Sequence, residues 1–324
     1  MRTFPLLLIG LLIGAFACTH EPDPRFSKNV PFCAPRDSGL VDNDTLEEVS
    51  GLVASRKNPG TLWVHNDSGH PAEVYLISTR GKLLATYPLS GAENTDWEDI
   101  AIGPGPQQGE TYLYVGDIGD NVSLYDERQV YRLVEPTYVP SSSATIDTID
   151  RYDKLRFYYP EGARDAETLL LDPATQDLYV LSKEMNQIQV YRLPRFSKTT
   201  VLRRAQRIAT LPLTNTSLLD RLVGGDISAD GTEVLLKTYE HVLYWHRKDT
   251  TVALPALLQR AADTLVYWVE PQGEAIGFAA DGLGYYTLSE QNFGSDIHLY
   301  FYPRCSSDST EQAAGRTPPE KKGE

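Results

Sequence analysis

Ser50-Gly51-Leu52-Val53, Asp99-Ile100-Ala101-Ile102, Glu167-Thr168-Leu169-Leu170, Asp226-Ile227-Ser228-Ala229 and Glu274-Ala275-Ile276-Gly277 repeat one pattern through the chain. Each opens on an acidic or hydroxyl residue, continues as an apolar strand, turns, and meets a second apolar strand. The opening residues lie 49, 68, 59 and 48 positions apart. Strand-only repeats of about 40–50 residues or somewhat more mark propeller blades. In that fold the first strand of each blade lines a central channel. Four of the five segments would then aim a carboxylate at one axis.

Working outward, inner strands are expected at 49–55, 98–103, 166–172, 225–229 and 274–279. Alternating runs rich in Val, Ile, Leu, Thr and Tyr, bounded by Gly, Pro, Asp and Asn, fill the intervals. The expected fold is all-β, a five-bladed β-propeller over 32–305. A sixth blade would need a hidden repeat inside the 68-residue interval. The fifth blade lacks an outermost strand, and segment 35–42, ahead of the first blade, is placed to supply it. Such closure leaves no sheet edge open. The pairs Asp230-Gly231 and Asp281-Gly282, like Asn58-Pro59-Gly60 and Asp172-Pro173, read as hairpin turns, so these polar residues are structural.

An apolar run follows Arg2 over 4–17 and ends Ala15-Phe16-Ala17-Cys18. It is too short to span a bilayer and fits a secretory signal peptide over 1–17. Small residues before Cys18 match a bacterial lipoprotein box, with Cys18 acylated by lipid such as palmitate. The alternative is an ordinary signal with an incidental cysteine. Residues 18–31 then form a lipidated tether, and 306–324 a disordered tail. The expected location is the bacterial cell envelope, most naturally the outer membrane, with the membrane as partner through the lipid on Cys18. Cys33 and Cys305 remain, flanking the blades, and export favours a disulfide between them over two free thiols. In the chain-entropy model that staple contributes on the order of 5 kcal/mol.

The formal net charge is −14. A protein so acidic repels phosphate backbones and is not expected to bind nucleic acid. No P-loop, Gly-x-Ser-x-Gly elbow, His-Glu-x-x-His or Cys-x-x-Cys occurs, which removes the motif-based hydrolase and zinc-protease readings.

Carboxylates converging on one axis must be neutralised by a cation, by protons or by hydrogen bonds. Oxygen ligands without thiols suit a hard cation, above all Ca²⁺. Asp99, Glu167, Asp226 and Glu274 are the candidate metal ligands, with Asp117 from Asp117-Ile118-Gly119-Asp120-Asn121 added. The alternative is that each acid accepts backbone N–H bonds from the next blade and fixes the ring. Aligned on their apolar cores, the second strands end level at Asn66 and Asp67, Asp117, Ser182 and Lys183, Thr238, and Ser289 and Glu290. They would form a polar mouth. His65, Asn66, Asp67, Arg164, Lys183, Lys237 and Glu290 are the candidate ligand-binding residues there, and the cations favour an anionic ligand. A lone histidine is more often structural than catalytic, and no catalytic residue is assigned.

Trp63-Val64-His65-Asn66-Asp67-Ser68-Gly69, Asp96-Trp97-Glu98-Asp99-Ile100-Ala101, Tyr114-Val115-Gly116-Asp117-Ile118-Gly119-Asp120-Asn121, Asp165-Ala166-Glu167-Thr168-Leu169 and Gln272-Gly273-Glu274-Ala275-Ile276 resemble a group of bacterial exported β-propeller proteins. The resemblance covers roughly 48–290. In outline the group is similar to phytase-like, esterase-like and gluconolactonase-type propellers. What the resemblance implies is the propeller fold and a central divalent cation; it implies no particular reaction. The function expected is a monomeric, lipid-anchored propeller whose Ca²⁺-binding acidic funnel captures a small-molecule or protein ligand. The alternative is a Ca²⁺-dependent hydrolase of phosphoesters or lactones, and a purely structural envelope protein is the third reading.

Overall fold

The computed structural model describes residues 31–305, apart from 42–43, 185–186, 196–200, 213–216 and 292–295. The signal, Cys18 and the tail at 306–324 lie outside the described residues.

Five sheets, each built on four antiparallel strands, follow one another along the chain. The first blade is Val49–Ala54, Thr61–Asn66, Glu73–Ser78 and Leu83–Pro88. The second is Trp97–Pro104, Thr111–Asp117, Arg128–Val134 and Asp153–Tyr158. The third is Ala166–Leu171, Leu178–Ser182, Gln187–Leu193 and Gln206–Pro212. The fourth is Leu222–Ile227, Glu233–Thr238, Val242–His246 and Asp263–Leu265. In the fifth, Gly273–Phe278, Gly284–Ser289 and His298–Pro303 are completed by Arg36–Leu40 from the start of the domain.

Each inner strand packs against the inner strands on either side, and the fifth returns to the first. These strands are buried on both faces, so their apolar residues do not alternate with exposed polar ones. The outermost strand of the first blade, by contrast, alternates between buried and half-buried residues. Their approach is close. A Cβ at Gly277 would sit 2.5 Å from the carbonyl oxygen of Leu52, so only glycine fits there. Between blades the core is aromatic and aliphatic, with Trp63, Tyr87, Trp97 and Tyr131 packed together between the first and second.

Ring closure is covalent as well as hydrogen-bonded. Cys33 and Cys305 form a disulfide with a Cα–Cα distance of 5.2 Å. The Cys33 amide donates to the Pro303 carbonyl at 2.8 Å, and the Cys305 amide to Pro31 at 2.9 Å. The long interval after the second inner strand holds no sixth sheet among the described residues. Its Thr145–Ile146 instead pairs in parallel with Ala85 and Thr86, covering the edge of the first blade. Arg203–Arg204 does the same for the second blade, alongside Phe157 and Tyr158.

Candidate functional site: an acidic mouth built from strand bulges

Every inner strand carries a bulge at the same place. The pairs Val49–Asn66 and Gly51–His65 leave Ser50 unpaired in the first blade. Corresponding skips isolate Glu98, Glu167, Val223 and Glu274 in the other four. A bulge adds one residue to a strand and re-aims its side chain. Repeated around a ring, it presents a layer of Ser50, Glu98, Glu167, Val223 and Glu274 to one end of the channel. Three carboxylates meet there.

The second strands add a rim. Asn66, Asp117, Ser182, Thr238 and Ser289 each pair with the residue just before a bulge, so the expected alignment of these ends agrees with the register. The next residues, Asp67, Lys183, Tyr239 and Glu290, therefore also stand level. A third acidic layer lies two positions ahead of the bulge. The amides of Asp67, Ile118 and Lys183 donate to the carbonyls of Glu48, Asp96 and Asp165, at 2.8, 3.1 and 3.1 Å.

These layers bring carboxylates into contact. Glu98, Asp165 and Glu167 each place an oxygen within 4.8 Å of the others, and Asp67, Asp96 and Glu98 do the same. Glu98 belongs to both groups. Glu98 is 2% exposed and Glu167 1%. Lys183 Nζ lies 2.5 Å from Glu167 Oε1, whereas Glu167 Oε2 is buried without a partner. Tyr239 donates its hydroxyl to Glu274 Oε1 at 2.7 Å and offers its ring to the Lys183 ammonium. Ser50 Oγ lies 3.5 Å from Glu274 Oε2 and donates to the Glu98 carbonyl. Gly119 is required beneath this cluster, because a Cβ there would fall 1.9 Å from Glu98 Oε1.

The proton affinities express the crowding. Burial, reinforced by Glu167 and Asp67, pushes the Glu98 carboxyl well above the usual range. Burial followed by the Glu274 charge raises Glu167 to about 8, although Lys183 opposes the rise. Burial and the neighbouring acids raise Asp67 to about 7 and Glu290 to about 9. Burial works against the Lys183 charge, yet Glu167 and Glu274 outweigh it and hold that ammonium above its ordinary range.

Several expected residues stand elsewhere. Asp99 and Asp226 are one and three positions past their bulges, and their carboxylates join blades. Asp99 accepts the amides of Ile100 at 2.8 Å and Leu169 at 2.9 Å; Asp226 accepts Ile227 and Phe278, both at 2.8 Å. Each of these oxygens accepts one backbone amide, the arrangement that the ring-fixing alternative expects. Asp117 accepts the Asp96 amide at 2.9 Å and the Gln129 side-chain amide at 2.6 Å, so it holds the loop. Asp120 caps the same loop through Leu124 and Tyr125, each at 2.8 Å.

The candidate ligand-binding residues divide in the same way. Asp67, Lys183 and Glu290 share the mouth. Asn66 donates to the Thr45 carbonyl at 2.6 Å, and Arg164 pairs with Glu184. His65 is fully buried against Gly51 and Trp97, and burial lowers its pKa to about 4, so it stays neutral. Lys237 is also fully buried. Its Nζ donates to the Gly273 carbonyl and lies over the Tyr267 ring, and burial lowers it to about 8. Sequence reasoning passed over Glu98, Asp96, Asp165 and Tyr239. The three acids of Asp96-Trp97-Glu98-Asp99 carried a signal, but only the bulge says which of Glu98 and Asp99 faces the mouth. Arg128, 4% exposed with Nη2 4.0 Å from Asp96 Oδ2, adds a buried counter-charge behind the cluster.

No family model matches the chain, and no curated protein matches it. Among solved structures, the crystal structure of RRP9 WD40 repeats is similar at a TM-score of 0.42 and 11% identity, over 85% of this chain and 100% of that one. The assignment to the β-propeller fold rests on the strand pairing and ring closure described above.

Proposed function

We propose that the acidic mouth binds a hard divalent cation, Ca²⁺ by the chemistry of its donors. We further propose that the propeller is exported and tethered to a bacterial envelope through lipid on Cys18. The observation that carries the cation reading is the convergence of Glu98, Asp165 and Glu167 within 4.8 Å, with Glu167 Oε2 buried and unpartnered. Buried carboxylates this close repel unless protons or a cation intervene. All the donors are carboxylate oxygens, and hard cations prefer six to eight such ligands in loose geometry. Glu98, Asp165 and Glu167 would hold the ion, and Asp67 and Asp96 extend the acidic wall. A bound cation would neutralise the cluster and attract an anionic group, which Lys183 at the rim supports. The tether reading is supported by the apolar run and Cys18, and by the resemblance to exported propellers.

The test is calorimetric titration of Ca²⁺ into the chelator-treated full chain. Saturable binding lost in Glu98→Gln and Glu167→Gln is expected. Absence of binding heat together with an unchanged melting temperature would remove the cation. Cys18→Ser is expected to shift the protein out of the membrane fraction, and unchanged fractionation removes the anchor.

A further inference from the structure

A second feature opens on the same end of the ring, outside the acidic mouth. A cleft of about 380 Å³ lies where the chain passes from the fourth blade into the fifth, lined by Trp268, Glu270, Ser289, Asp296, His298 and Tyr300 among others. Trp268 is 54% exposed, an unusual state for so large an apolar ring. It meets Tyr300 edge to face, with centroids 5.8 Å apart and planes at 72°. His298 stacks on Tyr300 and is held by Asp37 at 2.9 Å, which fixes the aromatic wall.

The floor is polar and pre-set. Tyr267 donates its hydroxyl to Glu270 Oε2 at 3.0 Å, while Glu270 Oε1 is buried with no partner. Glu270 is 5% exposed. The buried Thr287 hydroxyl and the Lys237 ammonium stand against the same carboxylate from the interior, and the cleft is its other side, from which a further donor can arrive. Ser289 and Asp296 add acceptors nearby.

We infer that this cleft is a binding site for a neutral saccharide. A pyranose has an apolar C–H face bordered by hydroxyl groups. Trp268 offers flat apolar surface for the face, with Tyr300 standing as a wall at its edge, and Glu270, Ser289 and Asp296 accept from the hydroxyls. An aliphatic chain would cover Glu270 Oε1 without a donor. A quaternary ammonium would satisfy the rings but would also bring no hydrogen bond to that oxygen. A sugar hydroxyl satisfies both surfaces at once. The inference does not rest on the cation reading, because Glu270 and Trp268 belong to a separate set of residues.

The protein carries its own reporter. Of its 4 tryptophans, Trp63 and Trp97 are fully buried and Trp245 is 6% exposed, so acrylamide quenching of fluorescence reads Trp268. The full chain is titrated with cellohexaose and with chitohexaose, in Ca²⁺ and in EDTA. Shielding of Trp268 from acrylamide by either glycan, equal in both buffers, is expected. Tyr300→Ala should weaken binding about tenfold, the loss of one aromatic contact. Trp268→Ala, a change at an exposed side chain that the fold tolerates, should abolish binding measured by calorimetry. The inference fails if neither glycan shields Trp268, if tetramethylammonium shields it instead, or if shielding requires Ca²⁺. It fails equally if Tyr300→Ala binds as the parent does.

Discussion

Asp99 of the second inner strand accepts the backbone amide of Leu169 in the third across 2.9 Å, and Asp226 accepts Phe278 in the fifth across 2.8 Å. One aspartate in each of two blades thus ties its inner strand to the next, with its other oxygen on its own strand. Removing such a buried acceptor strands two amides. Asp99→Ala is expected to cost about 2–4 kcal/mol, by the same amount with Ca²⁺ and with EDTA. Glu98→Gln should behave oppositely, leaving the metal-free protein at least as stable while erasing any gain from Ca²⁺. Urea denaturation of both variants in the two buffers separates joining acids from mouth acids.

The raised carboxyls of the mouth set a pH dependence. Asp67, Glu167 and Glu290 sit at about 7, 8 and 9 in the folded protein, against ordinary values of 3.8, 4.5 and 4.5. Between the ordinary and folded values the native state binds more protons than the unfolded chain, so stability falls as pH rises. The metal-free melting temperature is therefore expected to decline from pH 5 toward pH 9, the window those values span. Saturating Ca²⁺ should flatten the decline, because the ion replaces the protons. Thermal scans across that range measure it, and calcium affinity should rise with pH for the same reason.

Gly119 tests the geometry without touching a charge. A Cβ there meets Glu98 Oε1 at 1.9 Å and Asp96 Oδ2 at 2.7 Å, both ends of side chains. Gly119→Ala should displace those carboxylates and lower calcium affinity by about tenfold or more, as supporting-residue changes at metal sites do. Its effect on the melting temperature in EDTA should be small by comparison. Calorimetry and a thermal scan on one sample decide between these outcomes.

The disulfide closes the whole ring, its cysteines 272 positions apart in the chain. Cys305→Ser is expected to lower stability by about 2–5 kcal/mol. The first elements to loosen should be Arg36–Leu40 and His298–Pro303, whose pairing the disulfide flanks. Hydrogen exchange of those strands, with and without reductant, checks the prediction.

The sequence by itself determined the number of blades, their order and the manner of closure. Apolar strands, Asp-Gly turns and repeat spacing are local signals, and a Cys33–Cys305 pair flanking the blades admits one natural bond. The level ends of the second strands were legible too, since Asp67, Lys183 and Glu290 follow regular strands that count in steps of two. Only the tertiary structure decided which acids face the mouth. A bulge inserts one residue without changing the apolar pattern around it, so counting along the chain selected Asp99 and Asp226. The ladder places Glu98 and Val223 at those positions instead. The cleft of Trp268 and Tyr300 was likewise invisible in one dimension, because it joins a linker between blades to a strand some thirty residues later. Contacts of that kind are fixed by packing and leave no periodic trace in the chain.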